Sequence, residues 1–434
     1  MQTKAKEKIN IVTLGCAKNL VDSEVLLTQL KGNNKEAYHQ NEEINPDVVI
    51  VNTCGFIDNA KQESIDTILS YARQKDLGNI KKLFVTGCLS ERYRNDLKVD
   101  IPEVDGYYGT RDLPDLLKNF EAKYRNELLG DRIITTDSHY AYMKISEGCD
   151  RPCSFCAIPL MRGKHISKPI NEILNEAKNL VKNGVKEIML IAQDSTYYGL
   201  DLYGKRLLPD LLRKLSDVDG LEWIRIHYAY PAGFPLEVIK VMNERDNICN
   251  YLDIPLQHGS SKMLKLMKRG ITREKTDKLI NDIREINPDI SLRTTLIAGH
   301  PGETEKDFDE MYDFVEKSKF DRLGIFTYSH EEGTSSHKLE DSVPEQLKRS
   351  RSNKIMALQQ KISKEKNKKR IGSTLKVLVD RADSNNYYGR TEYDSPEVDN
   401  EVIIPVDKPH LRVGDFYDAI IVGAKEYDLI AKIK

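Results

Sequence analysis

Short apolar runs closed by glycine alternate with helical periodicity along the first 130 residues. The runs Ile9–Leu14, Asp47–Thr53 and Lys82–Thr86 are rich in β-branched residues, and Gly15-Cys16, Cys54-Gly55 and Gly87-Cys88 follow them. Asp22–Leu30 and Asp58–Arg73 carry helical spacing between the runs. This alternation predicts βαβ units on a parallel sheet. A second α/β segment spans about Tyr140 to Tyr328, with strands expected at Tyr142–Ile145, Glu187–Ala192, Trp223–Tyr228, Leu252–Ile254, Ser291–Ile297 and Asp321–Phe326. Helical stretches such as Ile170–Asn183 and Thr272–Ile286 separate them, and six strand–helix repeats predict an incomplete TIM-like (β/α) barrel. A helix follows over Glu345–Arg370. Ile371–Lys434 is strand-rich, with turn signals at Asp383–Asn386 and Val413–Asp415, and reads as a small all-β barrel. The expected organisation is an N-terminal parallel-sheet α/β domain (1–130), a central incomplete barrel (135–365) and a C-terminal all-β barrel (366–434).

Composition narrows the setting. Charged residues make up 31% of the 434, above the roughly 25% usual in soluble globular chains. No apolar run approaches the ~18–20 residues of a membrane span. The basic N-terminus, Met1–Asn10, precedes only a few apolar residues and no small-residue cleavage site, so no secretory signal is read and a cytoplasmic protein is expected. The net charge of −2 hides an asymmetry: residues 345–370 hold ten Lys and Arg against two Glu, whereas 371–434 hold twelve Asp and Glu against eight Lys and Arg. Seven cysteines, an odd number in a chain of this size without a signal, do not read as a disulfide framework.

Three of them, Cys149, Cys153 and Cys156, form C-x3-C-x2-C in a glycine- and proline-containing loop just after an expected strand. Three thiolates can hold three irons of a [4Fe–4S] cluster and leave the fourth open to an exogenous ligand. A zinc knuckle is the alternative; it needs a fourth ligand, for which His165 is the nearest candidate. Cys16, Cys54 and Cys88 are far apart in sequence yet share one structural address, the carboxyl end of an apolar strand. In an open parallel sheet such ends line a common crevice, so the three can converge on a second cluster; isolated buried cysteines are the alternative. Cys249, placed just before the strand Leu252–Ile254, is expected to pack. Gln193 and Asp194, and Gln257 and His258, follow expected strands, and Arg293 lies in Leu292-Arg293-Thr294-Thr295 of another; a barrel gathers polar groups for a ligand at its strand ends.

The loop Cys149–Cys156, with Phe155 before its third cysteine, resembles the radical S-adenosylmethionine (SAM) superfamily. Leu14-Gly15-Cys16, Asn52-Thr53-Cys54-Gly55 and Thr86-Gly87-Cys88 resemble the N-terminal domain of its methylthiotransferases, whose chains end in a small β-barrel, the TRAM domain. The resemblance covers essentially the whole chain. It implies two [4Fe–4S] clusters, on Cys16/Cys54/Cys88 and on Cys149/Cys153/Cys156, and SAM held near Gln193, Asp194, Gln257 and Arg293. It implies that one SAM methylates a sulfur on the first cluster and that a second, cleaved at the other, yields a radical that takes hydrogen from an unactivated carbon. A reductant protein such as flavodoxin or ferredoxin would supply the electron.

Cys149–Lys164 and His227-Tyr228-Ala229-Tyr230-Pro231 are similar to the branch that modifies the β-carbon of an aspartate in small-subunit ribosomal protein twelve, rather than the branch that modifies tRNA adenosine. The acidic terminal segment suits a basic protein better than RNA. The basic helix is expected to be a solvated face, or else to touch ribosomal RNA. The loop Gly299-His300-Pro301-Gly302-Glu303 departs from the family pattern, which has phenylalanine where this chain has His300. A tRNA methylthiotransferase and a non-catalytic, metal-bearing ribosome-binding protein remain the alternatives.

Overall fold

The computed structural model describes residues 6–128, 130–406 and 410–434. Residues 1–5 of the basic stretch Met1–Asn10 and residues 407–409 of the C-terminal segment lie outside the described residues.

The first sheet is parallel throughout and holds β1 (Lys8–Thr13), β2 (Glu36–His39), β3 (Val48–Thr53), β4 (Lys82–Gly87) and β5 (Gly106–Tyr107) in the order β2-β1-β3-β4-β5. Helices cover both faces, which is why β3 is buried along its whole length. Its even and odd residues serve opposite sides: Val48 and Ile50 pack with Leu26, Leu27 and Leu30 of α1 (Ala17–Gly32). Val49 and Val51 pack with Ile68 and Ala72 of α2 (Asp58–Asp76) and Leu89 of α3 (Cys88–Asp100). β2 and β5 were not expected; four residues, two of them polar, and a two-residue strand leave too short an apolar run to notice.

The second sheet is also parallel. It comprises β6 (Tyr140–Lys144), β9 (Glu187–Ile191), β10 (Trp223–Ile226), β11 (Ile248–Asp253), β12 (Ser291–Ala298) and β13 (Arg322–Thr327), and it stays open, in the order β13-β12-β11-β10-β9-β6. A small hairpin, β7 (Ser146–Glu147) with β8 (Ile166–Ser167), follows β6. β11 begins four residues before the expected strand, so Cys249 lies inside it, packed among Trp223, Tyr251 and Leu378.

The C-terminal segment closes into a five-stranded barrel, β14 (Thr374–Ala382), β15 (Asn386–Arg390), β16 (Val402–Pro405), β17 (Phe416–Ala424) and β18 (Leu429–Ile433), around Val377, Val379, Ile404, Ala419, Ile421 and Ala431. Its segment 391–399 plugs the concave side of the open sheet. There Arg225 donates to the Glu392 carbonyl (2.6 Å), Tyr251 to Asp399 (2.7 Å) and Arg322 to Asp394 (2.9 Å). Arg322 and Asp394 form a buried ion pair, and removing one partner of such a pair costs about 3–5 kcal/mol. The basic helix Glu345–Lys369 is solvated on one face only. Ile355, Leu358 and Ile362 join the central core, and buried Lys348 and Arg351 pair with Asp341 and Glu303.

Candidate functional site: two cysteine trios on one cavity

A strand order that reverses between β1 and β3 opens a crevice at their carboxyl ends. Cys16 follows β1, Cys54 follows β3, and Cys88 follows β4 and starts α3. Close backbone approach draws them together. Gly15 has φ +89°, and a Cβ placed there would lie 2.7 Å from Cys54 Cβ and 2.9 Å from its Sγ. Gly87, at φ +97°, sits against Asn52 and the Thr53 backbone, so neither position accommodates a side chain. Asn19 fastens the loops: its amide donates to the Leu14 and Thr53 carbonyls (2.8 and 3.0 Å), and its Oδ1 accepts from Cys88 Sγ at 3.6 Å.

Cys149, Cys153 and Cys156 occupy the loop after β7. Cys149 N–H donates to the Gly163 carbonyl (3.0 Å) and Ser154 N–H to that of Met267 (3.1 Å). Arg269 Nη1 donates to Cys153 Sγ at 3.1 Å, and Arg151 N–H to Cys149 Sγ at 3.4 Å. His300 backs the loop, its Nε2 hydrogen-bonded to Ser336 Oγ (2.8 Å) and near Ser154 Oγ (3.4 Å). Burial moves its pKa down to about 4, so it is a neutral hydrogen-bonding strut.

All six cysteines line one cavity of about 420 Å³. The short helix Ile158–Arg162 links the trios: it starts two residues after Cys156, packs Ile158 and Met161 against Cys88, and ends in Arg162. The buried Arg162 guanidinium meets Asn19, Asp22 and Glu147. Burial raises the Glu147 carboxyl, but Lys144 and Arg162 outweigh it and hold the group near 2. Burial pushes the Cys149 thiol up to about 11 and those of Cys88 and Cys156 to about 12. A metal bound by these thiols would have to displace their protons, as thiolate ligation always requires.

The described lining carries four cationic side chains, Lys18, Arg151, Arg162 and Arg269, and no carboxylate. Three buried polar atoms of lining residues have no partner: Arg151 Nη2, Arg269 Nε and Gln193 Oε1. Unpaired buried groups of this kind are costly; the two arginine donors call for an acceptor on an occupant and the Gln193 oxygen for a donor. No group of three His, Cys, Asp or Glu among the described residues is arranged around a single metal ion. His165 is hydrogen-bonded to Ser167 (3.1 Å) and is not among the lining residues.

Of the expected SAM-pocket residues, Gln193 and Gln257 line the cavity. Gln257 does so at φ +76°, a strained conformation for a non-glycine residue. Asp194 stands one step back, gripping Arg151 Nε at 2.7 Å. Arg293 is not there. Its guanidinium pairs with Asp253 (3.0 Å) and with Asp399 of the plug (3.2 Å), across the inner face of the sheet. Its strand position gave the right sheet, but the plug that claims it lies a hundred residues away in sequence. Sequence reasoning missed Lys18, Phe56, Arg269 and Phe326, and Tyr228 and Tyr230 figured only as parts of a motif.

The open parallel sheet and the Cys149–Cys156 loop at its carboxyl end define a radical SAM enzyme. A model of the radical SAM superfamily matches residues 143–315, one described as uncharacterized protein family UPF0004 matches 8–109, and one for the TRAM domain matches 371–433. A protein of Cytophaga hutchinsonii named ribosomal protein uS12 methylthiotransferase RimO is 59% identical over 428 residues, 99% of this chain and 98% of that protein. A Flavobacterium psychrophilum protein of the same name is 56% identical and covers 99% of each chain. The chain belongs to this RimO family of radical SAM methylthiotransferases. Among solved structures, the methyltransferase TsrM from Kitasatospora setae matches with a TM-score of 0.55 at 14% identity, covering 74% of this chain and 75% of that one. The radical enzyme OxsB matches at 0.52 and 14%, covering 76% and 55%. At these identities the likeness is one of fold.

Proposed function

We propose that the chain transfers a methylthio group to the β-carbon of an aspartate in ribosomal protein uS12. Cys149, Cys153 and Cys156 would hold one [4Fe–4S] cluster, and Cys16, Cys54 and Cys88 a second. The observation that carries this reading is the shared cavity: six cysteines in two separate trios face one carboxylate-free space. When bound, open-cornered clusters supply the radical from SAM at one trio and the sulfur at the other.

The protein's own groups set the geometry. Arg269 would offset the anionic charge gathered at Cys153, while Gln193 and Gln257 present amides to the polar parts of SAM. Asp194 holds Arg151 against the Tyr230 ring, 4.0 Å from its centroid, and so fixes one wall. Phe56 and Phe326, 41% and 56% exposed, flank the cavity as an apolar entrance. An acidic terminal barrel favours a basic protein partner over RNA. We place the functional units at 1–130, 135–365 and 366–434, and the enzyme in the cytoplasm with a flavodoxin or ferredoxin as electron donor. Among the described residues no helix is long and apolar enough to cross a membrane.

The test is incubation of anaerobically reconstituted, reduced enzyme with SAM and uS12. A mass gain of about 46 Da on uS12, sulfur plus CH2, is expected. An unchanged uS12, with modified adenosine appearing in tRNA instead, would move the chain to the tRNA branch.

A further inference from the structure

Lys18 is unlike half-buried Lys144 and buried Lys348. Lys144 pairs with Glu147 at 2.6 Å and Lys348 with Asp341 at 2.7 Å. Lys18 is 8% exposed, lines the cavity, and has no carboxylate partner among the described residues. Its ammonium rests 3.3 Å from the centroid of the Tyr228 ring. Cation–π attraction offsets only part of the cost of burying an ammonium. The other cavity cations are already engaged: Arg151 with Asp194, Arg162 with Asp22, Arg269 with Cys153 and the Pro255 carbonyl. The protein also maintains this arrangement at some strain. Tyr228 has φ +60°, and its N–H is pinned by Asp253 Oδ2 at 3.1 Å, the carboxylate that Arg293 also grips.

We propose that Lys18 is the binding residue for the carboxylate of the substrate aspartate, and thereby the residue that selects an acidic side chain. This rests on the function proposed above and deepens it. Lys18 lies in the first turn of α1, two residues after Cys16, while its ammonium sits on a ring from the sheet that carries the other trio. An anion held there shares the cavity with both trios. The β-carbon of an aspartate is bonded directly to its carboxylate carbon, so gripping the carboxylate fixes the carbon that must meet both. A neutral or aromatic target would leave the ammonium buried and unpaired, which penalises it.

The experiment measures binding of fluorescently labelled uS12, with Asp or Asn at the modified position, to wild-type, Lys18→Met and Lys18→Arg holoenzyme, with iron counted in each. Wild type is expected to bind the Asp form roughly ten-fold or more tightly than the Asn form, the worth of a charge-assisted contact. Lys18→Met should bind both forms equally, and Lys18→Arg should keep part of the preference. A ten-fold preference that survives in Lys18→Met overturns the proposal, as does a Lys18→Met variant that loses iron but keeps the preference, since the lysine would then serve the nearby cluster. If wild type modifies uS12 and only the preference test fails, the function stands without this residue. If wild type leaves uS12 unmodified, both fall.

Discussion

The two cysteine trios reach one cavity by opposite means. Cys149, Cys153 and Cys156 fit within eight residues, and their loop is held by a hydrogen bond to nearby Gly163 and by one to Met267, more than a hundred residues on. Cys16, Cys54 and Cys88 span seventy-three residues, and only the order of strands β1, β3 and β4 unites them. The first is a motif; the second is a product of topology. Its loops must touch backbone to side chain, as Gly15 does with Cys54, so the early trio depends on the fold in a way the late trio does not. The cations divide likewise. Arg269 comes from the late trio's own domain, whereas Arg162, beside Cys88, reaches across from the other domain.

Substituting each trio by alanine should separate their roles most sharply. With Cys149, Cys153 and Cys156 replaced, formation of 5′-deoxyadenosine should cease. With Cys16, Cys54 and Cys88 replaced, it should continue while methylthiolated uS12 disappears, both read by chromatography and mass spectrometry. Loss of 5′-deoxyadenosine in both would mean that the trios are not independent. Next in size is Arg269→Met, which removes the donor on Cys153. By the usual worth of groups that support metal ligands, SAM cleavage should fall about 10–100-fold, with the early trio's iron retained.

Gly15→Ala probes the dependence on topology. A left-handed φ and a Cβ pressed against Cys54 should cost about 1–3 kcal/mol in the urea midpoint and empty the early trio while the late one stays filled. A glycine-to-alanine change at exposed Gly184, also at positive φ but with no atom within 4 Å of the added Cβ, is the control for backbone strain alone.

The smallest expected effect concerns the strut behind the late trio. His300 has a folded pKa near 4, below the ~6.5 of an unfolded histidine. The unfolded chain therefore binds the proton more readily, and stability present above pH 6.5 is lost as pH falls toward 4. Between pH 7 and pH 5 this should amount to about 2 kcal/mol in wild type. His300→Phe should flatten that acid limb, measured by urea unfolding at the two pH values; an unaltered limb would show that His300 does not carry it.

Much of this comparison was legible in the sequence, for reasons that differ along the chain. The Cys149–Cys156 spacing announces itself. The early trio could be read because each cysteine follows an apolar strand, and strand order did the rest. The open six-stranded sheet followed from counting strand–helix repeats, but β2 and β5 carry too little apolar pattern to find. Arg293 shows where such reading ends: an arginine inside a strand is equally suited to a ligand and to a buried acid, and Asp399 arrives from a segment with no local mark of its destination. The basic helix misled in a milder way, since composition cannot show that Lys348 and Arg351 turn inward. Lys18 was legible only as one lysine among many until the cavity and the Tyr228 ring gave it a setting.

The claim beneath all of this is that two separate trios each hold a cluster of their own. Iron and acid-labile sulfide, counted per chain on anaerobically reconstituted protein, test it most directly. About eight of each are expected in wild type and about four when either trio is replaced by alanine. About four in wild type, unchanged by removing Cys16, Cys54 and Cys88, would contradict it.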